Sequence, residues 1–595
     1  MILNRIRVSH IFLFTLIFSL IVIQSCTSQG PPQKYDLIIK GAKIIDGTGE
    51  KGYTGDVAVK GETIAALGDF NGEAPVVIEG SGLVVCPGFI DPHSHADLTI
   101  KHFPLAENLV AQGITSFLGG NCGLSPAPRK SLTFKDWLSN IEQNGFSINY
   151  IPLVGHHAIR QMVMGNDYKR TARPDEIAQM QVYVDEAMES GALGFSTFLD
   201  PSPSEFADTQ ELIELAKIAG QYGGIFVPHT RGTQLQWPSD DVEEFGYTII
   251  HRPLEHALVG RYEGYVEAVE VCRKANTALH IAHMGNGYWI PQPQPDYLKE
   301  AVAKATYAEF VDTPREEGLE VTFDLMPFEA TIMGETPVAS EFSSPRQPWV
   351  HEFGRERLLK KNLIENLKDE DFREAIKKVH ERGRMKLSML NTKVDPYWYT
   401  RFQIITSSNR DHMGKFLDEI ILEKGIDPLD TVFDLLLEDP DITWVQAIDP
   451  RLNAQAIEAG LRHPQGMPCT DVSAYSYDMP ANQMPPPIAY GLYPNYIKTY
   501  VKDKGILTLE EAIRKATAMP AAFMGIGDRG ILKEGNYADI LLFDFDTINY
   551  PGDFKNSAQK PEGIKAVIVN GTVVYQDMNF TGERPGKVIR HRQVK

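Results

Sequence analysis

The chain is poor in cysteine, with five among 595 residues: Cys26, Cys86, Cys122, Cys272 and Cys469 form no close pair and no repeated spacing. That excludes the disulfide framework on which small secreted scaffolds depend. A chain well past the roughly 250–300 residues at which one core stops growing needs no such staples. Positive charge is also short, with 58 Lys and Arg against 78 Asp and Glu and a net charge of −20. A broad grip on nucleic-acid phosphates is therefore not expected. Past the N-terminus there is no apolar run of about 20 residues, the length a standard spanning helix needs. What remains is ordinary globular composition, 43% hydrophobic and 23% charged, with 49 Gly and 38 Pro that suit many ordered loops. Small-molecule chemistry is the class left open.

The N-terminus reads as an export signal. Asn4, Arg5 and Arg7 precede an apolar run from Ile11 to Ile23 that is too short to span a bilayer. It ends IQSC, Ile23 to Cys26, which resembles the lipobox of bacterial lipoproteins. The resemblance implies a signal peptide over 1–25, a lipid anchor to the membrane on Cys26, and a polar tether over 26–34. It also implies a periplasmic or outer-membrane-associated place in a Gram-negative bacterium. A plain secretory signal or an uncleaved anchor is the alternative.

From Tyr35 the chain runs YDLIIKGAKIIDGTG, DVAVKGETIAALG and APVVIEGSGLVVCPG, short β-prone stretches cut by glycine-containing turns. The pattern returns near the other end in YADILLFD and KAVIVNGTVVYQ. One small β domain built from both ends, residues 35–88 and 525–595, is the expectation, since chain ends commonly lie close in space. The middle alternates apolar runs, among them GITSFLGG, INYIPLVGHH, ALGFSTFL, GGIFVPHT, TALHIAHMG and LEVTFDLMP, with amphipathic segments such as TQELIELAKIAGQ. Continuous apolar strands separated by helices predict a parallel sheet buried on both faces. Their number and span fit an eight-stranded barrel over 89–524. No GxGxxG or Walker A string follows any of these middle runs, so nucleotide binding has little support. Between about 340 and 440 the rhythm weakens into charged helical sequence, read as an insertion or an elaborated crossover that walls one side of the site. Thr508, three residues before Glu511, marks the start of the last helix as a capping box.

Metal-prone side chains gather at the ends of the apolar runs. His93 and His95, two apart in PGFIDPHSHADL, point to the same side of an extended backbone. Such a pair is common, and by itself it is as compatible with solvent-facing or structural histidines as with ligands. His229 follows GGIFVP, His283 follows ALHIA, Asp471 follows GMPCT and Cys122 follows ITSFLGG. In a barrel these are C-terminal strand ends, where active sites of that fold collect. A thiolate, four imidazoles and a carboxylate together suit zinc. His280 is out of parity with His283 and reads as a core or supporting histidine. Of His156 and His157 at most one faces the site. Cys86, Cys272 and Cys469 read as buried small hydrophobes.

At this point the chain resembles the amidohydrolase superfamily, and within it the bacterial D-aminoacylase or N-acyl-D-amino-acid deacylase family. The motifs that carry this are VVCPGFIDPHSHAD, GGNCGLSPAP, GALGFSTFL, FDLMPF and LTLEEAIRKATAMPAAFMGIGDRGILKEGNYADILLFD, in that order. The resemblance implies a (β/α)8 TIM-like hydrolase barrel with a small β-sandwich domain from both chain ends and an inserted helical segment. It also implies a zinc-dependent hydrolase of linear, non-peptide amide C–N bonds, in which cysteine replaces the carboxylated lysine of many relatives. Cys122, His229 and His283 match the core of one tightly held Zn2+. His93 and His95 match a second, weaker position, and Asp471 matches a ligand that is also the catalytic acid and base. The departures fall on substrate recognition. AHMG, Ala282 to Gly285, stands where relatives commonly carry SHHK; CTDV stands for GSDG; PPPIAYGLYP, residues 485–494, lacks the usual histidine and arginine; and FDLMPFEATIMG brings in Phe328 and Glu329. Two cations for a substrate carboxylate are thus missing. The small-molecule amide substrate is expected to be neutral, larger, or held by Arg160 or Arg231, with His157, Phe328 and Tyr490 as further substrate contacts. A dipeptidase or cyclic amidase of the same superfamily is the alternative reading, and a ligand-binding surface lipoprotein without turnover is another.

Overall fold

The computed structural model describes residues 32–199, 203–231, 260–284, 296–328, 331–343, 348–381, 397–448, 450–480 and 484–591. The signal peptide and Cys26, together with Gly285 and Glu329, lie outside the described residues. Among those described, no helix is long and apolar enough to cross a membrane.

Eight parallel strands stand side by side in chain order: Phe89–Asp91 (β1), Ile114–Gly119 (β2), Asn149–Gly155 (β3), Gly194–Phe198 (β4), Ile225–His229 (β5), Ala278–Ile281 (β6), Val321–Leu325 (β7) and Gly466–Pro468 (β8). Register places Ile151 beside Leu118 and Ser196 beside Val227. Side-chain alternation gives the sheet two apolar faces. Ile90, Leu118, Ile151, Leu153, Val227 and Met467 form one cluster with Met519 and Phe523. Phe117, Tyr150, Val154, Phe195 and Phe226 belong to the main core with the helices. Between β1 and β8 the barrel closes through the backbone just beyond the strands. The Asp471 N–H donates to the His93 carbonyl at 2.8 Å, and the His95 N–H to the Val472 carbonyl at 2.8 Å. The seam thus runs through three of the expected ligands.

Both chain ends share one mixed nine-stranded sheet. The first part supplies Leu37–Ile44, Tyr53–Lys60, Thr63–Gly68, Val76–Glu79 and Val84–Pro87. The last part supplies Ile540–Phe543, Ile564–Val569, Thr572–Gln576 and Asn579–Phe580. Val84–Pro87 joins the two, antiparallel to Ile540–Phe543 and parallel to Leu37–Ile44. Ile540 and Leu542 pack with Leu37, Ile39 and Val57 in the domain's own core, while Leu541 and Phe543 enter the barrel's core. The barrel therefore covers one face of this sheet.

A buried ion pair pins the sheet to the barrel. Asp539 pairs with Arg529, both nearly inaccessible, and accepts from Asn149 Nδ2 at 3.1 Å and from the Asn570 N–H at 2.8 Å. Asn149 is the first residue of β3. Asp539→Ala leaves the Arg529 charge buried and unpaired, so an unfolding free energy lower by about 3–5 kcal/mol is expected in urea titration. Leu422→Ser, at an exposed site, serves as the control and should change it by less than about 0.5 kcal/mol.

The segment from 331 to 448 has its own core, including Trp349, Trp398, Phe402, Phe433 and Trp444. The expected helices are present, but so is a three-stranded antiparallel sheet of Thr331–Pro337, Thr443–Ile448 and Phe402–Thr406, with Thr443–Ile448 central. The inserted helical segment is thus borne out, and the sheet is an addition that flanks it. Its strands are short and far apart in sequence, so local pattern carries little sign of their pairing. A loop before Ile564–Val569 connects the insertion with the barrel: Lys555 Nζ lies 3.3 Å from Asp411, and Arg410 donates to the Lys555 carbonyl at 2.9 Å. In the same loop the Tyr550 ring lies 6.3 Å from that of Phe328, just beyond β7.

Candidate metal centre

The expected ligands converge. Cys122 Sγ lies 3.3 Å from His93 Nε2, 3.7 Å from His229 Nδ1 and 3.8 Å from His283 Nε2. Asp471 Oδ1 is 3.3 Å from His93 Nε2 and 3.1 Å from His95 Nε2. Two donor groups result, His93, His95, Cys122 and Asp471 in one and Cys122, His229 and His283 in the other, with the donor atoms of each within 4.8 Å of one another. The Cys122 sulfur belongs to both.

The backbone is bent to achieve this. Cys122, His283 and Asp471 have φ of 49°, 36° and 56°, in the left-handed region that residues with a side chain seldom occupy. Such strain persists where surrounding structure enforces it and concentrates at functional sites. Around Cys122 the enforcing element is the GGNCG turn. A Cβ on Gly120, itself at φ 85°, would stand 2.2 Å from the Leu153 carbonyl oxygen, so that position requires glycine. The turn carries the chain off β2 and aims the thiol inward.

The electrostatics of the cluster call for a cation. Burial pushes the Cys122 thiol up, but the His93 charge and hydrogen bonds from His229, His283 and His93 outweigh it and hold the thiol well below its usual value. Burial also opposes ionisation of Asp471, yet His93 and His95 hold that carboxylate well below the ordinary range. Burial lowers His95, but Asp471 and Cys122 push it up to about 10. Two anions are thus paid for by protons on neighbouring imidazoles, and a divalent ion supplies the same charge while using the imidazole lone pairs. Sulfur, nitrogen and oxygen donors in one cluster, buried except for partly exposed His95 and Asp471, fit a transition metal.

Several expected substrate contacts have other employment. Arg160 is fully buried, pairs with Glu211 and donates to the carbonyls of Tyr168 and Arg170. Arg231 Nε lies 2.8 Å from Glu267 Oε2, and the rest of its guanidinium meets the carbonyls of Glu205 and Ala207. Neither is available to a substrate carboxylate, which corrects that expectation: a buried guanidinium requires a carboxylate, and the chain brings one to each from a following helix. Tyr490 is buried, with its hydroxyl donating to the Ser476 carbonyl at 3.0 Å, and it serves as packing. Phe328 is buried beside Tyr550. His157 lies in the first turn of the helix that follows β3, beside the turn that carries Cys122. Its N–H donates to the Gly123 carbonyl at 3.1 Å, and its buried Nδ1 has no hydrogen-bond partner among the described residues. Burial, with the charges of His156 and Arg129, lowers its pKa to about 4, so it is neutral. His156 itself bonds Glu211 at 2.8 Å and Thr197 at 3.1 Å.

Asp324, near the end of β7, was not singled out by the sequence. It touches His93, His280, the His283 backbone and Cys469. The available signal was a lone acidic residue in the apolar run VTFDL.

A model of the amidohydrolase family matches residues 483–575. The chain is 27% identical to the D-aminoacylase of Alcaligenes xylosoxydans xylosoxydans, covering 94% of this chain and 99% of that one. It is 29% identical to the N-acyl-D-aspartate deacylase of the same organism, covering 95% and 96%. Among solved structures, the N-acyl-D-glutamate deacylase of Bordetella bronchiseptica, complexed with zinc and a phosphonate inhibitor, is similar with a TM-score of 0.66 at 25% identity. That match covers 94% of this chain and all of the other. With likeness over nearly the whole chain joined to a thiolate-centred donor cluster at the strand ends of a barrel, the protein belongs to the amidohydrolase superfamily, on its D-aminoacylase and N-acyl-D-amino-acid deacylase branch.

Proposed function

We propose that this metal-dependent hydrolase uses zinc to cleave the amide C–N bond of an N-acylated amino acid. The observation that carries the reading is the pair of donor groups sharing the Cys122 sulfur. Cys122, His229 and His283 would hold the tighter ion, and His93, His95 and Asp471 a weaker second one. Zinc bound there supplies Lewis acidity, making water acidic near neutral pH and drawing charge onto the amide carbonyl oxygen.

The proton work falls to Asp471. Its ionised carboxylate accepts the proton of the attacking water and returns it to the departing nitrogen, which leaves poorly unless protonated. His93 and His95, both within 3.3 Å of Asp471 Oδ1, keep that oxygen directed at the cluster. The left-handed backbone of Asp471, fastened to the His93 carbonyl, fixes the carboxylate's approach.

For a substrate carboxylate the described residues offer Arg129. It lies in the loop that follows Cys122, and its guanidinium meets the carbonyls of Ser125 at 2.8 Å and Pro128 at 2.9 Å rather than a carboxylate. The test is a zinc-reconstituted protein assayed by mass spectrometry on N-acyl D- and L-amino acids, their carboxamides, dipeptides and cyclic amides. Cleavage of the D-configured free acids is expected. Arg129→Gln should raise their KM by about tenfold or more, the worth of a charge-assisted hydrogen bond, and leave the carboxamides unaffected. Cleavage confined to dipeptides or cyclic amides would replace this reading, and saturable binding without product would end it.

A further inference from the structure

We propose that Asp324 is a positioning residue that locks the tautomer of His93 and ties together the two donor groups. The proposal rests on the reading of the cluster as a metal centre. Asp324 is fully buried. Its Oδ2 lies 3.2 Å from His93 Nδ1 and 2.8 Å from His280 Nε2, and its Oδ1 lies 2.6 Å from the His283 main-chain nitrogen and 3.1 Å from Cys469 Sγ.

An ionised carboxylate only accepts hydrogen bonds and has about four lone-pair positions. Four neighbours fill them here, and each must donate. The His283 N–H has no alternative. For His280 the other nitrogen agrees: Nδ1 lies 2.8 Å from the Thr322 hydroxyl, which can donate to it and leave the ring proton on Nε2. The same reasoning puts the His93 proton on Nδ1. Its Nε2 lone pair then faces Cys122 and Asp471, each 3.3 Å away. An imidazole has one such choice to make, and a partner on the far nitrogen makes it.

The second hold is on the main chain. His283 has φ of 36°, and the bond from its N–H to Asp324 anchors that strained residue. One carboxylate thereby sets a side chain of the first donor group and the backbone of the second. An asparagine at 324 would turn an NH2 toward two of these four donors. The His93 ring would then be free to carry its proton on Nε2, where it blocks ligation.

The experiment uses the full chain, zinc-loaded and labelled with 15N at histidine, with His93→Gln assigning the resonance. In the wild type, long-range 1H–15N correlation should show the His93 proton on Nδ1. Asp324→Asn should move it to Nε2 and weaken zinc binding by about 10- to 100-fold. Cys469→Ser, which keeps a donor, should change neither. The proposal is overturned if wild-type His93 carries its proton on Nε2, or if Asp324→Asn keeps the wild-type tautomer and zinc affinity within about twofold. Should that variant not fold, Asp324→Glu, which keeps the charge but displaces both oxygens, takes its place with the same loss of zinc affinity expected and the same twofold limit overturning the proposal. Neither readout involves turnover, so a failure to hydrolyse any amide would defeat the proposed activity without touching this assignment.

Discussion

Asp471→Asn is expected to lower kcat by about 10²–10⁴-fold, the range spanned by a lost general acid–base, while the protein keeps its tighter zinc. The two effects separate because Asp471 stands in one donor group only, and Cys122, His229 and His283 remain intact without it. Asparagine preserves the shape of the side chain but cannot take a proton from water or deliver one to nitrogen. Steady-state kinetics beside metal analysis by mass spectrometry makes the check. Near-normal turnover with normal zinc would remove Asp471 from the proton transfers.

Cys122→Ala has the widest consequence for metal. Its sulfur is the one donor common to both groups, so its loss depletes both, whereas His93→Ala or His229→Ala each removes a donor from one. Loss of a partner that merely supports a ligand costs about 10- to 100-fold in metal affinity, and loss of the shared thiolate should exceed that. The zinc-dependent rise in Tm, which follows from metal binding to the folded state alone, should disappear with it. Unchanged zinc stoichiometry in Cys122→Ala would defeat the assignment.

What the sequence revealed about this centre came from position. Cys122, His229 and His283 each follow an apolar run, and such a run is legible because a buried parallel strand must be apolar on both faces. The ends of those runs then collect on one rim. What stayed hidden depends on pairing across the fold. Arg160 and Arg231 look like free cations until Glu211 and Glu267 arrive from later helices. Asp324 has no spacing signature, because its four partners come from β6 and from the turns after β1, β6 and β8. The sheet of the insertion is of the same kind, its pairing set by strands as far apart as Thr331–Pro337 and Thr443–Ile448. Local pattern reports faces and ends of elements, and it is silent on which distant residue will neutralise a charge.

The sheet shared by the two chain ends has a consequence for how the protein is made. A ribosome that has reached the barrel has already delivered five strands of that sheet, and the second neighbour of Val84–Pro87 does not exist until Ile540–Phe543 has been synthesised. Throughout that interval the nascent chain carries a bare, apolar strand edge, the kind of surface that recruits other chains. Its closure is the most non-local step in the molecule and among the slowest expected of it. Arrival of the last strands, more than completion of the metal ligands, therefore sets the earliest moment at which that edge can be covered.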